Sequence, residues 1–146
     1  MNREPSTIAR VGSPAAPTSR SLDTPAARVE LESDGIVVIH VKSGIDMTED
    51  HMRQILEARF TLAPREAAVL VDARRARSVS RAALELSANP KVRPYTDCLA
   101  ILQGSPVSVV LANFFMVFVR PPYPTRLFRD EDAARAWLRS NRRLVS

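Results

Sequence analysis

Apolar positions along this chain come in short bursts separated by turn and cap residues, and their period changes from one burst to the next. In "ARVELESDGIVVIHVK", Val29 and Leu31 alternate with polar neighbours, Ser33-Asp34-Gly35 interrupts, and a longer apolar run covers Ile36 to Val41. The Asp-Gly pair suits a tight turn that needs positive φ, so the pattern predicts an antiparallel hairpin at the start of the domain. In "SGIDMTEDHMRQILEARFTLA" the period lengthens. Thr48 reads as an N-cap, Met47 and Met52 as a hydrophobic staple, and Glu49 and Asp50 as first-turn anions, with Met52, Ile55, Leu56 and Phe60 on one face of an amphipathic helix.

The continuous run Ala67 to Val71 predicts a central strand covered on both faces, ending at Asp72 and opening into an arginine-rich loop. A short helix over about Ser80 to Ser87 follows, stopped at Asn89-Pro90, and "CLAILQG" is the next buried strand. "TRLFRD" predicts a last strand, and "DEDAARAWLRS" a helix capped by Asp130 and anchored by Trp137 and Leu138. Residues 1–27 are dominated by Ser, Thr, Pro and Ala and are expected as a disordered leader, the folded domain as 28–140, and 141–146 as a C-terminal tail. Alternation of helices and strands after a hairpin argues for an α/β fold: a single mixed sheet with about four helices packed against it.

The most apolar segment, 107–119, has strand-favouring residues but helical spacing. Val107, Val110, Leu111, Phe114, Phe115, Val117 and Phe118 share one broad face, so a helix is expected, and it supplies the crossover between two parallel strands. Its other face includes Val109, Ala112 and Met116 and carries only Arg120 as charge, which marks either a partner or homodimer surface or a face covered by the rest of the chain. The uninterrupted stretch is about fifteen residues and contains Asn113. A spanning helix needs roughly twenty, so no membrane span is expected. The N-terminus lacks the apolar region of a secretory signal, which points to a cytoplasmic protein.

Charge and chemistry narrow the function. The net charge is +5, with nineteen arginines and only Lys42 and Lys91 as lysines. These arginines are scattered, and aromatic residues make up 5% of the chain, so nucleic-acid binding is not expected. Cys98, the one cysteine, is expected as a buried thiol; neither His40 nor His51 has a second ligand at metal spacing. Gly12, Gly35, Gly44 and Gly104 lie too far apart for a phosphate-cradling loop, and no nucleophile elbow accompanies the Ser, His and Asp residues. The expectation is a non-enzymatic protein without cofactor or metal.

One loop stands out. In "VLVDARRARSVSRAALEL", Arg74, Arg75, Arg77 and Arg81 crowd a strand-to-helix turn, where free helix N–H groups also favour anions. A phosphate on Ser78 or Ser80 would find charge-assisted partners there, an external anion could bind, or Ser80 could be an ordinary N-cap among solvated arginines.

The element order, together with "PPYPTRLFRDEDAARAWL" near the end, resembles the SpoIIAA-like branch of the STAS domains, a fold also compared with the CRAL-TRIO lipid-binding domains. The resemblance covers roughly residues 28–140. It implies a regulatory, anti-sigma-antagonist-like module that docks a protein such as a kinase or an anti-sigma-type regulator. In the phospho-regulated members a Ser or Thr at the start of the helix after the central strand is phosphorylated, which places Ser78 and Ser80 at the matching position. Those members carry Asp-Ser followed by Gly, whereas this chain has Ser78-Val79-Ser80-Arg81. The CRAL-TRIO comparison implies a different class: a carrier of a small apolar ligand or lipid, with a pocket between the sheet and the helix bearing Phe114, Phe115 and Phe118.

Overall fold

The computed structural model describes residues 20–87, 89, 96–104 and 123–142. The main sheet has six strands: β1 (Arg20–Asp23), β2 (Ala27–Leu31), β3 (Val37–Val41), β5 (Ala67–Asp72), β7 (Thr96–Leu102) and β8 (Thr125–Phe128), in the spatial order β1-β2-β3-β5-β7-β8. The pairs β1/β2 and β2/β3 are antiparallel, and β3/β5, β5/β7 and β7/β8 are parallel. A separate two-residue parallel ribbon joins β4 (Asp46–Met47) to β6 (Ser78–Val79). Helix α1 (Glu49–Leu62) follows β4, α2 (Arg81–Ser87) follows β6, and α3 (Glu131–Asn141) follows β8.

Local chemistry sets these boundaries. Gly35 turns the β2–β3 hairpin with φ +90°, its N–H donating to the Glu32 carbonyl at 2.9 Å, while the Asp34 carboxylate accepts from the Ile36 N–H at 3.1 Å. Thr48 caps α1 in a capping box: its hydroxyl accepts from the His51 N–H and the His51 Nδ1 accepts from the Thr48 N–H, both at 3.2 Å. Asp130 caps α3 through the Ala133 N–H at 2.8 Å.

Alternate residues of β5 feed two cores. Ala67 and Val69 join Val29, Ile39, Ile55, Leu62 and Leu99 in the layer beneath α1 and α2. Ala68 and Leu70 join Ile36, Val38, Cys98, Ala100 and Leu102 beneath α3, whose Ala134 and Leu138 are fully buried. Both faces of the central strand are therefore covered, as its unbroken apolar run requires. An Arg135 fork to Glu32, at 2.6 and 3.0 Å, ties α3 to the hairpin.

Two boundaries differ from the sequence reading. The expected leader 1–27 contains β1, and Thr24, Ala26 and Ala27 are buried, so ordered chain begins well before residue 28. The reason is that β1 is an exposed edge strand of mostly polar residues, while Ala26 and Ala27 are small enough to pack with no large apolar signal. At the other end α3 runs to Asn141, one residue past the expected domain limit. The segment 107–119, with Val109, Ala112 and Met116, lies outside the described residues, so the described helices number three.

Candidate functional site

The loop from β5 to α2 is built by main-chain bonds to the segment before α1. Gly44 N–H donates to the Arg75 carbonyl at 3.0 Å, Arg77 N–H to the Ile45 carbonyl at 2.9 Å, and Ser80 N–H to the Met47 carbonyl at 2.9 Å. Gly44 sits at φ +73°, a conformation that glycine adopts without steric cost.

Three of the four arginines expected to meet an anion instead meet carboxylates of their own chain. Arg74 forks onto Asp72 at 2.9 and 2.8 Å and lies 3.5 Å from Glu131. Arg77 forks onto Asp46, with Nε at 2.9 Å from Oδ1 and an Nη2 contact to Oδ2. Arg81 pairs with Glu85 one helical turn on, at 3.1 Å. The loop is thus not the concentrated cation that its composition implies. Arg75 differs: it is exposed and makes no ion pair among the described residues, beside a polar cleft that also touches His40, Asp72 and Arg74.

The serines are separated in role. Ser78 Oγ donates to Asp46 Oδ1 at 2.6 Å, joining the Arg77–Asp46 pair. The Arg77 guanidinium first, and the Ser78 hydroxyl second, hold the Asp46 carboxyl well below the usual carboxylate range. Ser80 is the N-cap of α2, its hydroxyl accepting from the Ala83 N–H at 3.1 Å.

A second feature is a cavity of about 150 Å³ between the sheet and helices α1 and α2; the sequence reading placed an apolar pocket instead against the segment 107–119, which lies outside the described residues. Its floor is a register row, Ile39, Val71 and Ile101, paired across β3, β5 and β7. Met52 and Ile55 of α1, Leu84 of α2, and Met47 and Val79 of the ribbon close its sides. Tyr123 stands at its wall with its hydroxyl donating to the Ser87 carbonyl at 3.1 Å, and burial pushes its phenol up to about 12. Arg59, expected on no apolar face, is 1% exposed and also lines the cavity. Its guanidinium satisfies carbonyls past the end of α1, donating to Ala63 and, at 3.2 Å, to Arg65, and lies 5.4 Å from the Phe60 ring centre.

Among the described residues no three His, Cys, Asp or Glu gather in a way that could hold a metal ion, and no helix is long and apolar enough to cross a membrane. Cys98 is fully buried under α3.

Comparison with known proteins places the chain in a family. It belongs to the family described as Domain of unknown function (DUF7793), whose pattern matches residues 29–142. No curated protein matches it. Among solved structures it is similar to an uncharacterized protein of the DUF3478 family with a SpoIIAA-like fold, from Shewanella loihica PV-4, at 16% identity and a TM-score of 0.48. That likeness covers 83% of this chain and 92% of the other.

Proposed function

We propose that this chain is a non-enzymatic, STAS-like interaction module that docks a regulatory protein at the loop between β5 and α2. The observation that supports this reading is Arg75, an exposed guanidinium without an ion pair among the described residues, on a loop whose backbone is pinned to 44–47. A fixed loop presents its side chains with little ordering cost on binding. Ser78 is the residue through which docking is regulated. Phosphate there removes the hydroxyl donor from Asp46 and sets a dianion against that carboxylate, with Arg77 shared between them. Ser80 is the second modification site; a phosphate on it alters the cap of α2. The partner class is a kinase or anti-sigma-type regulator, in the cytoplasm.

The test is affinity capture from the native organism with Arg75→Glu beside the wild type. Arg75 is chosen because Arg77 also holds the ribbon, so a change there mixes docking with folding. Arg75→Glu is expected to weaken capture of the partner, most at low ionic strength, while keeping the wild-type melting temperature. An unchanged capture profile rejects the reading.

The carrier reading has one observation in its favour, the apolar cavity, and its size limits it. Ligand pockets for drug-sized molecules typically hold about 300–1,000 Å³. At about 150 Å³ this one is too small for a lipid chain.

A further inference from the structure

We infer that the cavity between the β3-β5-β7 floor and α1/α2 is a binding site for a neutral, ring-sized apolar molecule. Three observations carry this. The volume, about 150 Å³, is the first. An apolar cavity of roughly that size in another protein stays dry and takes up benzene. One aromatic ring fills such a space, whereas two fused rings or an acyl chain would have to extend through its open side.

The second observation is what the polar groups on the wall are doing. The Tyr123 hydroxyl donates to the Ser87 carbonyl, the Ser87 hydroxyl to the Leu84 carbonyl at 2.7 Å, and the Ser78 hydroxyl to Asp46. Arg59 directs Nη1 and Nη2 to the carbonyls of Ala63 and Arg65. With these donors directed into the protein's own framework and the Arg59 Nε buried away from the cavity surface, the described wall presents mostly hydrocarbon and sulfur to an occupant. An acid or a sugar would lose its hydration there without replacement hydrogen bonds, which is costly.

The third observation is the adaptable rim. Met47 on β4 and Met52 on α1 both line the cavity, and thioethers make favourable contacts with ring edges while fitting variable shapes. The rigid floor and the flexible methionine side together fit a flat ring of variable substitution better than one fixed polar compound.

Benzene and naphthalene are the probes, with the full chain carrying 13C-methyl methionine. Benzene is expected to give saturable shifts at the Met47 and Met52 methyls, and naphthalene to bind at least ten-fold more weakly. Val71→Phe, which pushes a ring into the floor, is expected to weaken benzene at least ten-fold; Leu84→Phe fills the same space from α2 should the strand variant fail to fold. Absence of saturable shifts at Met47 and Met52 overturns the inference, as does equal binding of the two probes or benzene binding unchanged in a folded filled variant. Arg75→Glu is expected to bind benzene as the wild type does, so this outcome is read separately from partner docking.

Discussion

Raising the pH should expose what holds Tyr123 at the cavity wall. The phenol ordinarily ionises near 10, and in the folded chain burial raises this to about 12, against a smaller opposite pull from the Arg59 guanidinium. A folded-state pKa above the unfolded value means that the native state holds its proton longer. The stabilisation is therefore fully present below pH 10 and is lost as pH rises from about 10 to about 12. Two pH units at about 1.36 kcal/mol each amount to about 2.7 kcal/mol. Tyr123→Phe removes this dependence and also removes the hydrogen bond to the Ser87 carbonyl, a loss of about 1 kcal/mol. At pH 8 the wild type should be more stable than Tyr123→Phe by that amount, and by pH 12 the order should reverse. Urea unfolding at intervals across this range measures the crossing, and the difference in phenolate absorbance between the wild type and Tyr123→Phe, in which the Tyr95 signal cancels, follows the ionisation. Parallel stability curves for the two proteins up to pH 12, or a Tyr123 phenol that titrates near 10, would refute the argument.

Two further predictions test the scaffold. Arg135 and Glu32 are 17% and 22% exposed and joined by a two-pronged pair, so Glu32→Gln should cost about 2 kcal/mol, or roughly 8 °C in a thermal melt; a change below 1 °C shows that the link between α3 and the hairpin is incidental. Burial, aided by the Asp97 carboxylate, pushes the Cys98 thiol up to about 11, so a thiol reagent at pH 8 should label it only at the rate of unfolding and at once in denaturant; rapid labelling of the native chain contradicts the packing of α3 over β7.

How much of this was legible depends on the range of each interaction. The hairpin turn at Asp34-Gly35, the Thr48 and Asp130 caps and the unbroken run of β5 are decided by residues within a few positions, and the structure has them where the pattern put them. Strand β1 was invisible because an exposed edge carries no alternation, and the β4–β6 ribbon because two residues give no period at all. The burial of Arg59 runs against every hydrophobicity pattern; its cause is a set of carbonyls just past α1, which a position near a helix C-terminus could have signalled. The cavity is set by distances between elements that meet only in three dimensions, and no single segment encodes it.

The arginine loop shows where composition misleads. Counted along the chain, Arg74, Arg75, Arg77 and Arg81 form a cationic cluster. Two of its neutralising partners were readable locally, Asp72 two residues before Arg74 and Glu85 four residues after Arg81. The third, Asp46, is 31 residues from Arg77 and becomes its neighbour only when β4 pairs with β6. With these charges matched, the field that a docking protein meets is close to that of Arg75 alone. A single exposed charge pair contributes only about 0–1 kcal/mol and is screened by salt. Affinity at this loop must therefore come mainly from the fit of a pinned backbone, with Arg75 setting orientation and association rate. The loss of capture in Arg75→Glu should accordingly be largest at low ionic strength, where reversing the sign of a loop charge that has no ion pair among the described residues opposes the approach of an acidic surface.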